Sequence, residues 1–123
     1  MDQRLLEAVH KNDRQAFMSL VNKNEEILQQ RTANTLNTPL HLASRFGYIE
    51  LVTEIIKLCP DMVGADNSKL ETPLHEACRQ GNVEVLELLL DINSWADCKL
   101  NSDNQSGFFM AAIMGISMWL SSF

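Results

Sequence analysis

The sequence predicts an all-α solenoid of stacked helix–turn–helix units joined by finger turns, on three observations. Thr38-Pro39-Leu40-His41-Leu42-Ala43 returns 34 residues later as Thr72-Pro73-Leu74-His75-Glu76-Ala77. Gly47 returns as Gly81 at the same offset. A degraded third copy, Ser106-Gly107-Phe108-Phe109-Met110-Ala111 followed by Gly115, keeps the phase. A fixed period of this size marks a supersecondary unit that cannot bury its apolar face alone and recruits a copy of itself. The expected product is a recognition surface rather than a catalytic pocket.

Each complete unit justifies its elements locally. Thr38 suits a helix N-cap, and Pro39 suits the first helical position, where a missing N–H costs nothing. Leu40, Leu42 and Ala43 supply the packed side, and Gly47 a left-handed stop. Ile49, Leu51, Val52, Ile55 and Ile56 then form an apolar stripe, with Glu50, Thr53, Glu54 and Lys57 outside it. Pro60 and Asp61 mark its end. Thr72, Pro73, Leu74, Ala77 and Gly81 repeat the first helix. Val83, Val85, Leu86, Leu88, Leu89 and Leu90 repeat the second. Ala43 and Ala77 are small enough to let stacked helices approach. The N-terminal segment lacks the Thr-Pro start but keeps helical spacing, with Leu5, Leu6, Ala8 and Val9, then Ala16, Phe17, Leu20 and Val21. One apolar and one polar side suit a terminal capping unit. The expected division is a cap at 1–33, full repeats at 34–67 and 68–101, and a truncated third at 102–123.

Composition narrows the function. The apolar fraction of 46% is that of a globular chain, and the net charge of −6 disfavours nucleic acid and anionic membrane surfaces. Cys59, Cys78 and Cys98 are odd in number and form no C-x-x-C pair, so reduced thiols in a cytoplasmic protein are expected, with neither a metal nor a disulfide role. The charged N-terminus is not a signal peptide. Asn104-Gln105-Ser106 is then a chance sequon.

These motifs resemble the ankyrin repeat over nearly the whole chain. Leu36 and Leu70 stand where the family prefers a turn glycine, which implies less regular fingers. Glu76 stands where an apolar residue usually follows the histidine. The segments Gly47-Tyr48-Ile49-Glu50-Leu51 and Ile56-Lys57-Leu58-Cys59-Pro60-Asp61 resemble a plant subgroup. Its members carry N-terminal ankyrin repeats and a C-terminal transmembrane PGG domain, and many are linked to defence and stress signalling. No PGG domain occurs in this sequence. The resemblance implies a non-enzymatic protein–protein interaction module on the cytosolic side of the plasma membrane.

No cofactor or metal is expected. The resemblance implies that His41 and His75 hold adjacent turns through hydrogen bonds to nearby backbone. His75-Glu76 begins like H-E-x-x-H, but Arg79 stands where the second imidazole is needed. His10, on a charged helix, reads as solvated. In an ankyrin stack the finger tips and the exposed side of the first helices form a concave face. By register, Thr35, Asn37, Lys69, Glu71, Asp103 and Gln105 lie on fingers, while Ser44 and Cys78 lie on first helices. Arg45 and Arg79 share a phase and should form a short basic rung. Arg45, Phe46, Tyr48, Arg79 and Gln80 are the candidate protein-binding residues, since Arg and aromatic side chains commonly anchor interfaces.

From Ser106 to Phe123 no residue is charged. The segment 107–123 admits an alternative function, a membrane-anchored protein inserted through this stretch, although it falls short of the ~20 residues a spanning helix needs. A partner helix is a second possibility, but it has no polar face. A frame change is the reading adopted. A family-like continuation His-Leu-Asp-Val-Val-Glu-Phe-Leu, suitably encoded and read one base out of frame, becomes Ile-Ser-Met-Trp-Leu-Ser-Ser-Phe, which is 116–123. On that reading the second helix of the preceding unit, with Val85, Leu86, Leu88 and Leu89, is left uncovered.

Overall fold

Every regular element expected between residues 1 and 92 forms. The computed structural model describes residues 1–92 and 99–113, and among them there are helices, 3₁₀ turns and no strand. Helix α1 (Gln3–His10) starts at Asp2, whose carboxylate accepts the Arg4 N–H at 2.8 Å. Asp13 caps α2 (Arg14–Lys23) by accepting the Ala16 N–H at 3.1 Å. A 3₁₀ turn at Glu25–Gln29 then places Ile27 and Leu28 in the core.

Helix α3 (Pro39–Phe46) opens with a reciprocal capping box. The His41 N–H donates to the Thr38 hydroxyl at 3.3 Å, and the Thr38 N–H donates to His41 Nδ1 at 3.2 Å. An imidazole thus does what Glu or Gln commonly does. Gly47 ends the helix at φ +74°. Helix α4 (Ile49–Leu58) follows. Pro60 ends α4 as expected and also begins a 3₁₀ turn, Pro60–Gly64, that buries Val63. Helices α5 (Pro73–Gln80) and α6 (Val83–Ile92) repeat the pattern, with Gly81 at φ +71° between them. The third unit contributes α7 (Gly107–Ile113).

The first helices stack in the order α1, α3, α5, α7, and each of the first three is backed by its own second helix. Between the layers lie Phe17, Leu51, Ile55, Leu86 and Leu89, all fully buried. Each such side chain contributes about 1.5–3 kcal/mol relative to exposure. The packing is between units as much as within them, so no unit has a complete core alone. Val85 is buried with Leu86 and Leu89, and only Leu88 of that set is half-exposed. The expected bare edge of α6 is therefore largely absent, and α6 packs against α4, α5 and the Pro60–Gly64 turn.

In the third unit α7 begins at Gly107, directly after Ser106. Its Met110 is buried and its Phe109 is 54% exposed. Gly115, the segment 116–123 and Cys98 lie outside the described residues. No helix among the described residues is long and apolar enough to cross a membrane.

Candidate functional site

The groove is built by the fingers on one side and the first helices on the other. Each finger is a hairpin turn closed on itself. Thr32 N–H donates to Asn37 O at 2.9 Å, Asn67 N–H to Glu71 O at 2.9 Å, and Asn101 N–H to Gln105 O at 3.0 Å. Neighbouring fingers are cross-bonded at equivalent positions, Ser68 N–H to Thr35 O at 3.0 Å and Ser102 N–H to Lys69 O at 2.8 Å. Asn67 and Asn101 brace the fingers from within. Each side-chain oxygen accepts two N–H groups of its own turn, and each amide reaches the preceding unit, Asn37 Oδ1 at 2.8 Å and Glu71 Oε2 at 2.9 Å. The sequence reading missed these two asparagines, although their 34-residue spacing was visible.

Leu36 and Leu70 adopt φ +58° and +60°, the conformation a glycine would take. The second and third fingers share one geometry, whereas the first carries a further positive φ at Asn34, +68°, and closes from Thr32 rather than from Ala33, the equivalent of Asn67. Asn104 holds the equivalent place at φ +59°.

The two histidines behave as the motif implied. His41 Nε2 lies 2.7 Å from Glu71 O and His75 Nε2 lies 3.0 Å from Gln105 O. A carbonyl only accepts, so each Nε2 carries the proton and Nδ1 is left to accept from the threonine N–H. Burial pushes the His41 imidazole down to about 4, and the Glu71 carbonyl offsets this only in part. His10 is not merely solvated. Its ring meets Phe46 edge-to-face at 5.3 Å, and its carbonyl accepts the Tyr48 hydroxyl at 3.3 Å.

Arg45 and Arg79 do come together, and carboxylates compensate them. Arg45 Nε and Nη2 donate to the two oxygens of Glu76 at 3.1 and 3.0 Å. Arg79 Nη1 lies 3.3 Å from Glu76 Oε2, while its Nη2 donates to both Glu71 oxygens at 2.5 Å. Glu71 and Glu76 are buried, and the arginine side chains remain 30–35% exposed. Burial alone would raise the Glu71 carboxyl, but the hydrogen bonds from Arg79 and Asn101 outweigh it and hold the group below its usual range. The expected basic rung is thus an alternating ladder of partly exposed arginines and buried carboxylates. Glu76 replaces an apolar residue here because two arginines enclose it.

The remaining candidates separate. Phe46 and Tyr48 sit with His10 at the C-terminal ends of α1 and α3, their rings 5.5 Å apart. Tyr48 is a junction residue. Asn82, its equivalent one period on, donates to Ser44 O at 2.9 Å and Arg45 O at 3.1 Å, just as Tyr48 reaches His10 O. Phe46 is 40% exposed, and Gln80 is exposed at the end of α5. Asn37, Glu71, Ser44 and Cys78, expected by register to border the concave face, are buried instead. Two adjoining clefts, of about 90 and 280 Å³, share Lys69, Glu71 and Arg79. No group of three or more His, Cys, Asp or Glu among the described residues is arranged to hold a metal ion.

Comparison with known proteins agrees with this architecture. The family model described as "Ankyrin repeats (3 copies)" matches residues 5–104. No curated protein sequence matches at a significant level. The search of solved structures gives 447 significant chains, so the scaffold is a common one and names no partner by itself. One is in the crystal structure of the yeast ribosomal protein Rps3 in complex with its chaperone Yar1. It has TM-score 0.87 and 22% identity over 99% of the present chain and 89% of that one. At that identity the likeness shows the fold alone.

Proposed function

This chain belongs to the ankyrin-repeat family, and we propose that it is a non-enzymatic module that holds a protein partner against its finger and first-helix groove. Ankyrin repeats are in general protein–protein interaction modules and typically serve as binding scaffolds without chemistry of their own. The observation that carries the reading is the pair of arginines, Arg45 and Arg79, both fixed on Glu76, each about a third exposed and lining one cleft with the finger residues. A guanidinium held by a buried carboxylate presents its remaining donors and its flat face with little rotamer freedom left to lose on binding. Phe46, Tyr48 and Gln80 extend the candidate surface along the ends of α3 and α5. The likeness to a chain from a chaperone complex is compatible with a partner-holding role.

The resemblance of residues 47–61 to the plant membrane-protein subgroup supports a finer reading, a role in defence or stress signalling on the cytosolic side of the plasma membrane. Imaging a fluorescent fusion of the full chain in plant cells tests the location, and a purely nuclear signal overturns it.

Site-specific photo-crosslinking tests the surface. Crosslinkers placed at Gln80 and Phe46 are expected to capture a protein partner, and crosslinkers at Glu54 and Glu87, on the second-helix side, are not. Capture from Glu54 or Glu87 in place of Gln80 overturns the groove reading.

A further inference from the structure

Leu36 and Leu70 combine two properties that are unfavourable for folding alone. They are 45% and 51% exposed, and both take a left-handed backbone that leucine rarely adopts. A glycine there would be free of strain, and an asparagine would tolerate it, as Asn104 does on the third finger. The leucine side chains return little burial for this strain. Residues held in strained backbone conformations cluster at ligand contacts and switch regions. The two leucines also form a registered pair, because the bond from Ser68 N–H to Thr35 O ties their fingers together beside them.

The charges next to them are available. The Lys69 ammonium and the Asp103 carboxylate are exposed, and neither has an ion-pair partner among the described residues. Along the fingers the order is therefore Leu36, then Leu70 with Lys69, then Asp103 with Asn104. The stripe is apolar over the first two fingers, with a cation beside the second leucine and an anion on the third finger.

We infer that the finger tips anchor a polypeptide segment of the partner through two apolar side chains set on Leu36 and Leu70, with an acidic residue meeting Lys69 and a basic residue meeting Asp103. This rests on the proposed binding role and adds the chemistry of the bound segment. Apolar anchors supply affinity, and the charge order fixes the direction of the segment.

The test uses the full chain and an array of short synthetic peptides. Each carries two leucines flanked by Glu and Arg in either order, with leucine-free and charge-neutral controls. The native chain is expected to retain the leucine-bearing peptides with one charge order preferred. The L36G/L70G double variant should melt at or above the native temperature yet lose retention by roughly tenfold or more. D103K should shift preference from Arg-bearing to Glu-bearing peptides. Lower melting of L36G/L70G shows that the leucines are structural and overturns the inference. So does a native chain that retains no leucine-bearing peptide. Peptides kept by L36G/L70G but lost by F46S/Q80E overturn the finger-tip anchor while leaving the groove reading intact. Peptides unaffected by either pair of changes count against both.

Discussion

Arg45 lays two parallel donors on both oxygens of Glu76 across the junction between successive repeats, at 3.1 and 3.0 Å. Glu76 is 2% exposed, so its charge is removed from water and depends on Arg45 and on Arg79 one turn away. Stability and the proposed recognition therefore share the same two arginines.

Arg45→Ala and Arg79→Ala, combined, should destabilise the fold by about 3–5 kcal/mol, the range for leaving a buried carboxylate without its partner. The double change should exceed the sum of the singles, because each arginine partly covers for the other at Glu76. Urea denaturation of the four-member cycle checks this. A combined loss below about 1 kcal/mol would mean the pairs behave as ordinary surface ion pairs. For this reason, removing both arginines is a poor test of binding.

Stability should fall on mild acidification. His41 has a folded value of about 4 against an ordinary value of 6.5, so it stays neutral in the fold where the unfolded chain takes up a proton. Its contribution is complete above pH 6.5 and is lost progressively as pH falls toward 4, by about 3 kcal/mol in all. Glu71, held below its usual range, adds a further loss only as pH drops beneath ordinary carboxylate values. Chemical denaturation of the native chain and of H41Q between pH 7 and 4 reads this out. An equal slope in both proteins would remove His41 as the cause.

His41→Ala should lower stability by about 1–3 kcal/mol at neutral pH, since the Glu71 carbonyl and the Thr38 N–H both lose a partner in a dry site. His75→Ala should act in the same direction through Gln105 O and the Thr72 N–H. Thermal melts of both variants, with and without added zinc, check this. A zinc-dependent rise in the native chain that vanishes in the double variant would contradict the structural role.

Gly47→Ala should cost about 1–2 kcal/mol. The backbone is at φ +74°, and an added Cβ would sit 3.1 Å from Asn82 Oδ1. Asn82 is also the bracket on Ser44 O and Arg45 O, so displacing it loosens the hold on the last turn of α3. Asn82→Ala should cost a similar amount without the backbone strain. If G47A melts like the native chain, the left-handed stop is not a constraint at this junction.

The architecture was legible because its signals are local and repeated. Thr38 and Thr72 cap, Gly47 and Gly81 take positive φ, and the apolar spacing of α4 and α6 fixes their buried sides. The candidate site was read less well, because its interactions join residues about 30 positions apart. Nothing near Glu76 in the chain reveals that Arg45 would reach it. The shared bracing role of Tyr48 and Asn82 at equivalent positions was hidden because a phenol and an amide do not resemble each other. The irregularity implied by the leucines is found in the first finger alone, where Asn34 is also left-handed and the turn closes from Thr32. The left-handed conformation of the leucines goes with the hairpin bonds and is invisible in composition.

Each imidazole takes its acceptor from the unit that follows, so structure and synthesis run out of step. A ribosome that has released Thr38 to Phe46 has delivered every residue of the α3 capping box. The His41 Nε2–H must still wait 30 residues for the Glu71 carbonyl, and His75 must wait as long for Gln105. The nascent array can therefore never be more settled than one repeat behind its growing end. Any fragment cut at the motif boundary before Gln105 leaves its last histidine facing nothing.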